Sequence, residues 1–150
     1  MICLINKSLF YRILVLSTLV LLQIGCQPSW KFSIVSMDDP LHPLFCISEG
    51  DNCRGKGVGF PIFDVVEVDN SGNLIKRMWA IEAVEKVKLN KFSYGTAPQG
   101  YKELEPAKSL ELNKLYRVHG EFFFTLYKQD SQVKAKVFNF REFSDKIKKE

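Results

Sequence analysis

YRVHGEFFFTLY, residues 116–127, sets Tyr116, Val118, Gly120, Phe122, Phe124 and Leu126 against Arg117, His119, Glu121, Phe123, Thr125 and Tyr127. A period of two is the mark of a strand with one face in a core, so this stretch predicts a long strand. Gly120 is the place where it bends, through a bulge or a break into two strands. Gln129-Asp130-Ser131 then turns the chain, and Val133, Ala135 and Val137 return it with Lys134 and Lys136 outward. Asn139 and Glu142 have capping-box spacing for a short terminal helix, with Phe143 and Ile147 on its inner side. Phe123 and Tyr127 sit on the outward face of the long strand. They either pack under a second layer, which is the favoured reading, or offer aromatic surface to a partner.

The same period runs upstream. FPIFDVVEVD (60–69) and LIKRMWAIEA (74–83) flank Asn70-Ser71-Gly72-Asn73, a hairpin signal because Asn and Gly tolerate positive φ. In the second of these strands Ile75, Trp79, Ile81 and Ala83 share a face, with Arg77 as the one intruder. WKFSIVSM (30–37) alternates Trp30, Phe32 and Ile34 with Lys31, Ser33 and Val35, and is broken at 38–40 by Asp-Asp-Pro. Residues 43–48 read as a second short strand. Gly55, Gly57 and Gly59 punctuate a flexible loop whose spacing does not fit a phosphate-binding motif. Residues 84–92 fit a strand or a turn or two of helix, 94–101 a turn-rich loop, and 103–108, with Pro106, an irregular segment or an edge. Seven or so short strands with Gly, Pro and Asn between them predict an all-β antiparallel β-sandwich over residues 30–140. Residues 141–150 form a charged tail or a short helix.

One segment carries a finer resemblance. In SLELNKLYRV (109–118), Leu110 stands six residues before Tyr116 and Val118 two after it. This resembles the approach to the penultimate strand of fibronectin type III and immunoglobulin-like domains. The resemblance implies a tyrosine corner, in which the Tyr116 hydroxyl bonds back to upstream backbone. The alternative is a buried core tyrosine without that bond.

Ahead of the domain lies a leader. Lys7 and Arg12 are the charges before Cys26, and residues 13–24 are apolar except for Ser17, Thr18 and Gln23. As a helix this run would rise about 18 Å, short of the roughly 30 Å of a bilayer core. It therefore reads as a secretory signal helix, residues 1–25. A small residue directly before Cys, just past the apolar run, resembles the lipobox of bacterial lipoproteins, although Gln23 stands where that family usually has Leu. The resemblance implies cleavage after Gly25 and lipid on Cys26, with 26–29 as a lipidated tether and Gln27 directing the protein to the outer membrane. Plain secretion with Cys26 as a free thiol is the alternative. An exposed odd thiol in an oxidising compartment is a liability, which favours acylation.

Charge and cysteine count narrow the rest. The chain carries 21 basic and 17 acidic residues; two of the basic and none of the acidic ones lie in the leader, leaving +2 on the mature domain. That interspersed balance gives no reason to expect nucleic acid. With Cys3 in the leader and Cys26 lipidated, Cys46 and Cys53 remain, and the intervening Ser-Glu-Gly-Asp-Asn can reverse the chain between them. A disulfide is predicted.

No residues point to catalysis. His42 stands beside Pro43 and His119 on the polar face of its strand, neither near a nucleophile elbow, and no ligand spacing suggests a metal or cofactor. The expectation is a non-enzymatic protein, lipid-anchored in the bacterial cell envelope and facing the periplasm, that binds another protein. A small lipoprotein with one Ig-like domain resembles in architecture the type VI secretion immunity lipoproteins, and that resemblance implies a toxin as partner. An envelope accessory role is the alternative. A third is ligand or glycan binding through the 94–101 loop, with Tyr94, Gly95, Pro98, Gly100 and Tyr101 as candidate binding residues.

Overall fold

The computed structural model describes residues 30–36, 42–49 and 53–147. The leader with Gly25, the tether with Cys26, the break at 38–40, residues 148–150 and the Ile147 side chain lie outside the described residues. The described residues form nine strands, β1 Lys31–Ser36, β2 Leu44–Ser48, β3 Ile62–Val68, β4 Leu74–Ala83, β5 Lys91–Ser93, β6 Tyr101–Glu105, β7 Leu115–Val118, β8 Phe122–Gln129 and β9 Gln132–Asn139, and then a helix, α1 Phe140–Ile147.

The strands make two antiparallel sheets. One has the order β1-β2-β5, the other β6-β4-β3-β7-β8-β9. In immunoglobulin lettering, β1, β2 and β5 take places A, B and E, while β3, β7 and β8 take C, F and G. β4 extends the larger sheet beyond C as C′ does in variable-type domains. β6 then lies outside β4, although it follows β5 in the chain, and β9 adds a strand beyond β8. The predicted sandwich is the observed one.

Aromatic side chains fill the space between the sheets. Phe45 meets Phe124 across the layers at 5.9 Å, and Phe63 meets Phe92 at 5.2 Å, both edge-on. Such pairs favour T-shaped contact because the ring edge is positive and the face negative. Phe32, Ile47, Val65, Trp79, Ile81, Val118 and Leu126 complete this core. A second cluster lies on the outer face of the larger sheet, where Val66, Val68 and Phe123 are covered by Phe143 of α1. The Phe123 and Phe143 rings stack at 4.1 Å, so Phe123 is buried under the helix, the favoured of its two readings. Tyr127 is half-buried. The capping box closes as predicted: the Glu142 N–H donates to Asn139 Oδ1 at 3.0 Å, and the Asn139 N–H to Glu142 Oε2 at 2.9 Å.

Four expectations are corrected or refined. The long strand is two strands: β7 and β8 pair with Val118 opposite Phe122, and the chain reverses over residues 119–121. A three-residue reversal preserves parity, which is why the alternation runs unbroken through it. His119 accordingly stands in a turn at φ +44° and not on a polar strand face; its ring lies 4.4 Å from Phe60. In β4 the shared face fails at Ile75. Met78 is an extra residue between Trp79, opposite Val65, and Arg77, opposite Val66. This bulge turns both Met78 and Trp79 into the core, and Ile75, at a second irregularity, is exposed. The glycine loop is pinned and not flexible. Bridges tie Glu49 to Lys56 and Val58 to Leu89, and a Cβ on Gly55 would overlap the Glu49 carbonyl oxygen.

The ambiguous stretch 84–92 is neither a continuous strand nor helix, but bends that lead to the Leu89 bridge and β5. β6 is the edge strand expected near Pro106. Cys46 and Cys53 are joined in a disulfide.

Candidate functional site

Strand register gives the sandwich two ends. Trp30, Phe60, the 119–121 turn and the start of α1 gather at one: Trp30 packs on Phe60 at 5.1 Å and on Phe122 at 4.7 Å, and the Phe140 N–H donates to Glu121 O at 3.1 Å. The other end carries the 70–73 turn, the 111–114 crossing and the tight turn at Asp130-Ser131.

The far end, away from Trp30, holds the main charged cluster. β3 sets Glu67 opposite Lys76 of β4 and Tyr116 of β7. Its carboxylate is 4% exposed and lies 3.0 Å from Lys76 Nζ and 3.4 Å from Lys114 Nζ. Burial opposes the charge on Glu67, but hydrogen bonds and the charges of both lysines outweigh it, so the carboxyl is held below its ordinary range. Lys76 is raised in turn by its bond to Glu67. Both lysines stay about half exposed, and Lys76 also reaches Glu111 at 3.8 Å.

The tyrosine corner locks this crossing. The Glu111 N–H donates to Tyr116 Oη at 2.7 Å, and the hydroxyl donates back to Glu111 O at 3.3 Å. Leu110 is buried beneath it, and the Asn113 N–H donates to Leu126 O at 2.7 Å. Three apolar side chains at this end are exposed: Leu74 at 60%, Ile75 at 56% and Leu112 at 41%, with Leu74 paired to Val68 on the sheet face that α1 covers. Sequence periodicity assigned Ile75 inward and missed its exposure, since the strand irregularities at Ile75 and Met78 leave no signature in composition.

The predicted binding loop does not present its aromatics. Tyr94 and Tyr101 are buried. The Tyr94 hydroxyl lies 2.7 Å from Lys108 O and 3.1 Å from Met78 O, and Tyr101 Oη donates to Phe60 O at 3.0 Å. Each hydroxyl serves the core as an internal strut. Between them, Gly95 lies against His42 and Ala107, and Pro98 O accepts from the Tyr101 N–H at 3.0 Å. Gly100 at φ +81° packs so closely on Val87 that a side chain there would collide. The loop residues are near one another, as expected, but as a folded corner.

A groove of about 580 Å³ opens at the near end, lined by Phe60, Pro61, Val84, Lys86 and Lys88 among others. Among the described residues no three or more His, Cys, Asp or Glu gather as a metal site. No family model, curated protein or solved structure matches this chain.

Proposed function

We propose that this chain is a non-catalytic binding domain of the bacterial envelope, anchored through lipid on Cys26, whose far end recognises another protein. The observation that carries the reading is the exposure of three large apolar side chains, Leu74, Ile75 and Leu112, at the same end of the sandwich as Lys76 and Lys114. Apolar anchors inside a polar rim are the common anatomy of protein interfaces. The buried Glu67 and the Tyr116 corner hold the rim in place, which reduces the ordering cost of binding. The chemistry fits a partner with an apolar contact surface and acidic residues around it. Resemblance to immunity lipoproteins makes that partner a toxin delivered by a neighbouring cell; an envelope protein is the other class. The ligand or glycan reading loses its two aromatic residues, because Tyr94 and Tyr101 are buried.

The test uses full-length protein crosslinked in its own envelope, with and without competitor cells, beside Leu74→Asp/Ile75→Asp. The proposal expects a partner recovered by the parent and lost in the variant, whose melting temperature is unchanged. Equal recovery by both ends the assignment of the far end. Mass spectrometry of Cys26 tests the anchor separately: an unmodified thiol makes this a soluble protein.

A further inference from the structure

The groove at the near end adjoins the point where the chain leads to Cys26. Its wall includes Phe60, whose ring packs on Trp30. Four residues, 26–29, precede Trp30, and fully extended they reach at most about 14 Å. A lipid on Cys26 therefore keeps this end within one tether length of the bilayer.

The surface there suits such a neighbour. Val84 on the groove wall is 57% exposed, Ile62 at the start of β3 is 45%, and Phe140 at the start of α1 is 62%. These three lie on separate elements around the rim of one end, and separated contacts of that kind fit a flat surface better than a compact ligand. Lys86 and Lys88 are also exposed on the groove wall, with Glu85 as its one acid. Basic groups attract anionic headgroups while apolar side chains enter the headgroup–acyl boundary.

We propose that this end is a bilayer-docking face: Val84, Ile62 and Phe140 enter the interface, Lys86 and Lys88 meet anionic headgroups, and the domain stands with its far end outward. This rests on the reading of Cys26 as the lipid anchor. The test reconstitutes the full-length lipidated chain in vesicles of phosphatidylethanolamine and phosphatidylglycerol with brominated acyl chains, and reads tryptophan quenching in Val84→Trp and Leu74→Trp against the parent. Quenching of the added tryptophan is expected to be at least roughly twofold greater at position 84 than at 74. Adding Lys86→Glu/Lys88→Glu is expected to reduce it, and no reduction removes the lysines from the contact. Equal quenching at 84 and 74 in protein that floats with the vesicles and carries acylated Cys26 overturns docking while the anchor stands. Unmodified Cys26 with no flotation overturns both.

Discussion

At the scale of single residues, the tyrosines divide by what their hydroxyls hold. Tyr94 lies against Trp79 and Phe45 in the main core, so Tyr94→Ala is expected to cost about 3–5 kcal/mol by leaving an aromatic-sized cavity. Tyr94→Phe keeps the ring but strips a donor from the carbonyls of Met78 and Lys108, at about 1–3 kcal/mol. A surface binding role would leave the melting temperature unchanged in both, so urea unfolding separates the two roles. The same burial gives a pH signature. It pushes the Tyr116 hydroxyl up to about 12, assisted by the Glu67 and Glu111 charges, and also raises Tyr94 and Tyr101. An unfolded tyrosine ionises near 10. The stability these groups give is thus complete below about pH 10 and is lost as pH rises through the folded values. Glu67 acts with the opposite sign. Its folded value is lowered, so its contribution is present above the unfolded value of 4.5 and is lost as pH falls through the folded one. Glu67→Gln is expected to flatten the acid limb of a stability–pH curve and, by removing the charge that raises Lys76 and assists Tyr116, to weaken the alkaline limb only in part, since burial still raises the tyrosines.

At the scale of elements, periodicity was informative wherever backbone pairing is regular and silent where it is not. The hairpin at 70–73, the core face of β8 and the capping box were legible because each depends on residues close in sequence. The bulge at Met78 and the pinning of Gly55 against Glu49 depend on a partner strand, and alternation within one strand carries no trace of its neighbour's register. The candidate site failed for the same reason. Two tyrosines flanking a turn-rich loop look alike in sequence whether their rings point to solvent or to the core, and only the carbonyls of Phe60, Met78 and Lys108 decide. Two elements have measurable roles. α1 covers Val66, Val68 and Phe123, so Asn139→Ala is expected to cost about 1 kcal/mol through the lost cap. Phe143→Ala should cost more, about 3–5 kcal/mol, and bind an environment-sensitive dye through the uncovered sheet face. The Cys46–Cys53 ring is short, so reducing it is expected to lower stability by about 2.5 kcal/mol at most, with the sandwich still folded by circular dichroism.

At the scale of the whole molecule, the strands separate two surfaces by a solid core. Leu74 and the groove wall at Ala83 and Val84 stand at opposite ends of β4, Leu74–Ala83, at most about 30 Å apart along the strand. Two functions placed at these ends should therefore fail independently. Leu74→Asp/Ile75→Asp is expected to abolish partner recovery and leave bilayer quenching at position 84 intact. Val84→Asp is expected to lift the near end from the bilayer and leave partner recovery within about twofold of the parent, since substitutions this far apart without shared contacts act additively. Quenching from a tryptophan at Ile62, which follows Pro61 of the groove wall, reads that lift without relying on the substituted position. If Val84→Asp also removed the partner while the folded fraction was unchanged, orientation on the membrane would be part of recognition. The far end would then work only when the bilayer holds it outward, as an interface whose affinity includes the geometry of its anchor.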